Sequence, residues 1–250
     1  MSRVFPYTLG PPIGTRANLG LVVLQPDETL EHDCRRLLPQ EGVALYVSRI
    51  VSGTEVSTDS LGAMEARLPE AAGRLPEAVS FDVVGYGCTS ATAVIGAPRV
   101  SALVREGCSA QAVTEPLSAL VAACGALEVT RLALLSPYVA EVSDGLRRAL
   151  SAQGIETPTF GSFDEAVESR VARIDEASLM AAGRALMADG DAEALFLSCT
   201  NLRTLGVLEA LEQETGKPVL SSNQVLIWHM LRLAGVADRV SGYGRLFRDV

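Results

Sequence analysis

Cys88 and Cys199 are the residues of this chain whose settings best suit them to chemistry. Cys88 ends the apolar run Phe81-Asp82-Val83-Val84-Gly85-Tyr86-Gly87 and is followed by Thr89-Ser90. Cys199 ends Ala194-Leu195-Phe196-Leu197-Ser198 and is followed by Thr200-Asn201. Each stretch reads as a buried strand, then Cys-Thr, then a small polar residue of the kind that opens a helix. A thiol in that place feels unpaired backbone N–H groups and the positive end of a helix dipole. Its pKa is expected to fall from about 8.5 toward neutrality. The same N–H groups can receive a carboxylate or enolate oxygen. Two such thiols facing one carbon would move a proton onto it, off it or across it. The competing reading is a pair of buried structural cysteines, which their matched contexts disfavour. Cys34, Cys108 and Cys124 have no matching partners and read as packing residues. No Cys-x2-Cys spacing suggests zinc, and with only His32 and His229 a histidine-based metal centre or triad is not expected.

The elements that must position the thiols recur. Cys88 and Cys199 are 111 residues apart, and the same offset carries Leu21–Asp27 onto Leu132–Tyr138. A strand-turn-helix unit repeated at one spacing marks a duplicated half. Strands are expected over 18–25, 43–51, 81–87, 111–113, 131–136, 155–160, 192–198 and 218–221. Helical patterns are expected over 29–38, 58–68, 91–105, 116–124, 140–153, 175–189, 205–215 and 224–233. Continuous apolar strands alternating with helices imply parallel sheets covered on both faces. Gly42 and Gly154, at helix ends, are 112 apart, so one residue is inserted between the repeats there. The division expected is a first α/β domain of 1–113 plus 217–250 and a second of 114–216. In open α/β sheets ligands lie at the carboxyl ends of strands. Asp27, Cys88, Tyr138 and Cys199 all fall there, in four loops that would converge on a cleft.

Several neighbours are open to two uses. Asp27 can cap the helix that follows it or hold a cationic substrate group. Tyr138 can donate to developing negative charge or merely cap its sheet. Glu168 lies in an acidic run, Phe163–Val171, that reads first as a solvated helix face and second as part of the site. In Ser221-Ser222-Asn223-Gln224, Asn223 and Gln224 can brace the cleft. Trp228 and His229 read as packing. Gly85-Tyr86-Gly87 lacks the third glycine of a nucleotide-binding loop.

Composition narrows the class. With 250 residues and 48% hydrophobic content the chain can bury a sizeable core. A net charge of −9 with no basic cluster disfavours nucleic acid. No apolar run reaches the roughly 18 residues of a membrane span. Met1–Gly14 has no apolar stretch of signal-peptide length. Five cysteines, an odd number, fit a reducing cytoplasmic setting.

Gly87-Cys88-Thr89-Ser90, Ser198-Cys199-Thr200-Asn201, Ser136-Pro137-Tyr138 and Ser221-Ser222-Asn223-Gln224-Val225 resemble the aspartate/glutamate racemase superfamily. The resemblance spans nearly the whole chain, and it is to the branch of maleate cis-trans isomerases and arylmalonate decarboxylases. It implies two similar Rossmann-like α/β domains with parallel four-stranded sheets, related by a pseudo-twofold axis. The active site would lie in the cleft between them, without cofactor or metal. It further implies Cys88 as base or nucleophile and Cys199 as proton donor. Thr89, Ser90, Ser136, Tyr138, Thr200, Asn201 and Asn223 would surround a small carboxylate or zwitterionic substrate, and the protein would be a homodimer or higher oligomer. Arylmalonate decarboxylases keep only the second cysteine. Gly20–Glu31 is also similar to the ectoine-utilisation protein A group, linked to breakdown of ectoine and hydroxyectoine. Where maleate isomerases carry asparagine this chain has Asp27, and a second family asparagine falls near Glu168. Carboxylates there disfavour a dianion such as maleate and favour an amino or amidinium group. The function expected is isomerisation or racemisation next to a carboxylate. The alternatives are a decarboxylase or other lyase acting through the same enolate, and a non-catalytic binding protein.

Overall fold

The computed structural model describes residues 2–188 and 190–250. The first half contains β1 (Ala17–Leu24), α1 (Leu30–Leu37), β2 (Val43–Ile50), α2 (Thr58–Gly62), α3 (Leu68–Ala72), β3 (Phe81–Gly87), α4 (Thr89–Ile95), α5 (Ala97–Gly107) and β4 (Ala110–Thr114). α6 (Pro116–Leu127) leads into β5 (Arg131–Ser136), α7 (Ala140–Ser151), β6 (Glu156–Ser162), α8 (Glu168–Val171), α9 (Glu176–Ala188), β7 (Ala194–Leu197), α10 (Leu208–Thr215) and β8 (Val219–Ser221). α11 (Ser222–Leu233) and α12 (Arg245–Arg248) close the chain. The two sheets have the same order, β2-β1-β3-β4 and β6-β5-β7-β8, with every pair parallel. The parallel sheets expected from the alternating pattern, and the two four-stranded sheets implied by the family resemblance, are therefore present. Central strands β1, β3, β5 and β7 are buried almost without interruption, as parallel strands covered on both faces must be.

One contact locates the local symmetry. Glu55, after β2, forms an antiparallel bridge with Val167, after β6. Val56 N donates to Ala166 O at 3.0 Å and Glu168 N donates to Thr54 O at 3.1 Å. Each bond maps onto the other under a shift of 112 residues (167 − 55, 168 − 56, 166 − 54). Two equivalent segments that pair antiparallel with each other straddle a twofold axis. The offset is the one shared by Gly42 and Gly154, at φ +74° and +78°, which turn the chain into β2 and β6.

The element boundaries differ from expectation where proline or glycine intervenes. The helix expected over 58–68 is two short helices joined by a 3-10 turn at Glu65–Arg67, because Pro69 opens a new first turn. The helix expected over 91–105 breaks at Gly96, φ +92°, a conformation that L side chains rarely adopt. The helix expected over 205–215 begins only at Leu208, and α8 and α12 were not anticipated. The end of the helix expected over 175–189 falls on Asp189, outside the described residues. Val219–Ser221, grouped with the first domain from the sequence, pairs with β7 in the second sheet. α11 then packs against α6, β3 and α1, and Glu212 accepts from Val219 N and Arg245 N at 3.0 and 2.9 Å, holding the tail to the second half.

Gly107, the last residue of α5, sits against α3. A Cβ there would run into Pro69 O, with Ala72 Cβ at 2.8 Å and Gly73 N at 2.9 Å. Two of these atoms are backbone and cannot turn aside. Gly107→Ala is expected to lower unfolding free energy by about 1–3 kcal/mol, read as a lower urea midpoint at unchanged slope.

Candidate active site

Cys88 ends β3 and caps α4. Its backbone is extended (φ −150°) and its Sγ accepts from Ala91 N at 3.3 Å. Cys199 is held differently. It follows Ser198 beyond β7, at φ +123°, a strained conformation of the sort that collects at functional sites. Its Sγ accepts from Asn201 N at 3.2 Å. The segment after it is a turn, and the next helix starts at residue 208. The expectation that both thiols cap helices is thus corrected: Cys88 does, and Cys199 has a single turn N–H in place of a helix end.

The two turns are cross-braced. Thr89 Oγ1 and Ser222 Oγ are 2.8 Å apart, and the same Ser222 hydroxyl accepts from Cys199 N at 2.9 Å. Thr200 Oγ1 donates to Gly87 O at 3.2 Å. One hydroxyl on α11 therefore ties the residue after one cysteine to the backbone of the other. Ser222 was missed in the sequence. Its neighbour Ser221 caps α11 by a capping box with Gln224, and only that regular role leaves a local signal.

Tyr138 and Glu168 lie at the centre. The Tyr138 hydroxyl donates to Glu168 Oε1 at 2.8 Å and lies 3.0 Å from Cys199 Sγ. Glu168 Oε2 accepts from Asn201 Nδ2 at 2.8 Å. Glu168 is 3% exposed, so of its two possible readings the solvated helix face is the one overturned. The bridge between residues 54–56 and 166–168 is what carries it inward. Asp27 realises one of its two uses with one oxygen: Oδ1 accepts from Thr29 N and Leu30 N, both at 2.8 Å, at the start of α1. Its Oδ2 is buried with no hydrogen-bond partner.

The remaining candidates are bonded within the protein. Asn201 Oδ1 accepts from Glu28 N at 2.8 Å. Ser136 Oγ accepts from Tyr138 N at 3.2 Å and from Ser143 Oγ at 2.9 Å, shaping the Pro137 turn. Asn223 Nδ2 donates to Thr200 O and to Asp33 Oδ2, both at 2.8 Å. Ser90 is buried in the first turn of α4. Asp33, which the sequence did not single out, is a buried charge beside the site. Trp228 is buried, and His229 Nδ1 meets Thr114 Oγ1 at 2.8 Å. All five cysteines are unbridged.

The electrostatics reverse one expectation. Burial pushes the Cys88 thiol up to about 12, opposed by the Ala91 N–H and reinforced by Glu168 and Asp27. Burial also lifts Cys199 well above the ordinary thiol range, with Glu168 adding to it and Tyr138 and Asn201 N–H opposing. The helix-end argument fails because one or two N–H groups do not offset desolvation beside two carboxylates. Burial raises Asp27 to about 6, with Glu168 adding to it, against the pull of the Leu30 and Thr29 N–H groups and of the nearby Thr200 hydroxyl, whose own hydrogen goes to Gly87 O. It raises Asp33 to about 7 and shifts Glu168 upward too. Among the described residues the buried charged side chains are Asp27, Asp33, Glu115, Glu168 and Glu212, all acidic. Among the described residues no group of three or more His, Cys, Asp or Glu is arranged to hold a metal ion, and no helix is long and apolar enough to cross a membrane.

The chain has known relatives. The family model described as arylmalonate decarboxylase matches residues 36–247. The chain is 30% identical to a maleate isomerase of Nocardia farcinica over 243 residues, covering 92% of this chain and 95% of the relative. It is 34% identical to an arylmalonate decarboxylase of Bordetella bronchiseptica over 126 residues, 50% of this chain and 52% of that one. Among solved structures it is similar to the Nocardia farcinica maleate cis-trans isomerase, in a cysteine-to-serine mutant with a covalently bound succinylcysteine intermediate. That match has a TM-score of 0.85 and 28% identity, covering 94% of this chain and 99% of that one. The span of the family model, the coverage and the sequence identity together show that the chain belongs to the arylmalonate decarboxylase family, and maleate isomerases are among its relatives.

Proposed function

We propose that the protein is a two-cysteine isomerase or racemase acting at a carbon next to a carboxylate, on a substrate that also carries a positive group. Cys88 and Cys199 serve the two faces of that carbon as acid and base. The backbone N–H groups of their turns receive the carboxylate, and Asp27 Oδ2 receives the cation. The chemistry needs two thiols and oxyanion donors and no further group. The observation that carries the reading is the unpartnered Asp27 Oδ2, in a site whose buried charged side chains are all acidic; the nearby Arg49 guanidinium is bonded to backbone carbonyls, Asp27 O among them at 3.0 Å, and to Glu31. An orphaned buried acceptor is costly. A second anionic group about 4 Å from it would meet repulsion on the order of 4 kcal/mol at an effective dielectric of 20, and a cation the same in attraction.

A substrate cation also answers the thiol problem. By offsetting the charges of Asp27 and Glu168 it removes part of what holds both thiols protonated. Substrate binding and thiol activation are then one event. Ectoine and hydroxyectoine, each with an amidinium ring and a carboxylate, have the required chemistry, as do α-amino acids.

The family match to arylmalonate decarboxylases favours a second reading, loss of CO2 through the same enolate. A proton-exchange screen in heavy water separates the two. Amino acids, ectoines and plain dicarboxylates are incubated with the enzyme and followed by proton NMR. The expected result is deuterium entering next to the carboxylate of a cationic compound with its carbon skeleton retained. Stoichiometric CO2 release would establish the lyase, and tight binding without exchange would establish a binding protein.

A further inference from the structure

We infer that Glu168 is the residue that takes the proton of Cys199, reached through the hydroxyl of Tyr138. The inference deepens the reading of Cys199 as a proton-transfer thiol and rests on it. Glu168 acts through Tyr138 and touches no reacting atom, so it is a positioning residue that also stores a proton.

Donor counting fixes the direction of the chain. An ionised carboxylate can only accept, so Tyr138 spends its single hydrogen on Glu168 Oε1 at 2.8 Å. The 3.0 Å contact between Tyr138 Oη and Cys199 Sγ can then be a hydrogen bond only if the thiol donates. The result is an ordered path, S–H to O–H to carboxylate. In one step the Cys199 S–H bond breaks and an O–H bond forms on Tyr138. The original Tyr138 O–H bond breaks and one forms on Glu168 Oε1. Nothing is oxidised or reduced, and one negative charge moves from Glu168 to Cys199.

That conservation of charge is the advantage. Ionising Cys199 to solvent would add a third negative charge to a buried site that already holds Asp27 and Glu168. Relayed transfer adds none. Asn201 Nδ2 keeps its bond to Oε2 in either state, so the carboxyl group stays oriented. The groups facing Cys199 are Glu168, Tyr138 and Asp27, and Tyr138 also faces Cys88. The arginines of α8 and its end, Arg170 and Arg173, are exposed and pair with Glu165 and Glu28. Cys88 also has a tyrosine within hydrogen-bond reach, Tyr86, but that hydroxyl is bonded to Met64 Sδ at 3.6 Å and not to a carboxylate, and Cys88 Sγ accepts from Ala91 N. The asymmetry makes Cys199 the thiol that begins as base and Cys88 the acid, the reverse of the order implied by the family resemblance.

The test uses the substrate-free protein, so it is independent of which substrate is right. Alkylation by a small neutral reagent is followed from pH 6 to 10 by peptide mass spectrometry, site by site. Tyr138→Phe is expected to slow Cys199 on the order of 30-fold at pH 7, equivalent to about 1.5 pKa units. Glu168→Gln removes the proton acceptor together with a negative charge that holds the thiol protonated, so it is read in the pH profile: Cys199 alkylation, shallow with pH where the proton moves within the protein, should become a rise of about tenfold per pH unit, as for a thiol that ionises to solvent. The double variant is expected to keep the steep profile of Glu168→Gln, since both substitutions cut one path. Cys88 should change by less than about twofold. Tyr138→Phe leaves the Glu168–Asn201 bond in place, so it decides the matter if Glu168→Gln does not fold. Wild-type reactivity of Cys199 in Tyr138→Phe, or a wild-type pH profile in Glu168→Gln, would overturn the relay. Failure of the heavy-water screen would instead count against the substrate reading and leave the relay standing.

Discussion

Cys88→Ala and Cys199→Ala are each expected to lower kcat by at least about 10³-fold with the fold unchanged. Positioned proton transfer contributes roughly 10²–10⁴-fold, and each variant removes the group serving one whole face of the substrate. Little stability should be lost. The Cys199 and Cys88 side chains are small, and the cross-braces run through Thr89, Thr200, Ser222 and the Cys199 backbone rather than through sulfur. Two assays separate the thiols. Turnover should vanish in both variants. Exchange of the substrate proton with heavy water should survive in Cys88→Ala, because the base at Cys199 and its path to Glu168 remain. Near-normal turnover in either variant would remove that cysteine from the mechanism. Unfolding curves matching wild type are the control that makes the loss chemical.

Asp27→Asn should lower kcat/KM on a cationic substrate on the order of 100-fold and raise tolerance for a plain dicarboxylate such as maleate. Removing one partner of a buried charge pair costs about 3–5 kcal/mol, of which part is recovered by the dipole of the amide. The substitution is nearly isosteric. Asparagine keeps an oxygen to accept from Thr29 N and Leu30 N, so α1 should start where it does now. The pH profile gives an independent sign. Asp27 titrates at about 6 in the free protein, raised by burial. The ionised form is the one that pairs with a cation, so wild-type kcat/KM should rise with pH through about 6, as a free-enzyme group requires. In Asp27→Asn that limb should disappear. Efficient isomerisation of maleate by the wild type would refute the charge argument. Equal rates of the two proteins on a cationic substrate would leave Asp27 as a helix cap only.

Much of the architecture was legible in the chain. The eight strands, their parallel pairing and the duplication follow from continuous apolar runs and one repeated offset. These signals are local, because a buried parallel strand needs apolar side chains on both faces wherever it runs. The strand-Cys-Thr units were legible for the same reason, and so was the placement of Asp27 and Tyr138 at strand ends. Helix interruptions at Gly96 and Pro69 were signalled by residue type but hidden by the apolar periodicity around them. Glu168 was not legible. Its acidic run, Asp164-Glu165 with Glu168, has the pattern of a solvated surface, and only pairing with residues 54–56 turns one of the three carboxylates inward.

What the sequence determined by itself is therefore the set of elements, the doubled design and the two thiols at equivalent strand ends. The tertiary structure alone decided how those thiols are held and charged. Ser222 joins residues 133 and 23 positions away, and Thr200 reaches back 113 positions to Gly87. Bonds over such separations leave no periodic trace in a chain. The sign of the thiol pKa shifts was decided there too. A helix end predicts a lower value from local geometry, but desolvation and the fields of Asp27 and Glu168 arise only once both halves close around the site. The same enclosure leaves Asp27 Oδ2 without a partner, which is the feature on which substrate choice turns.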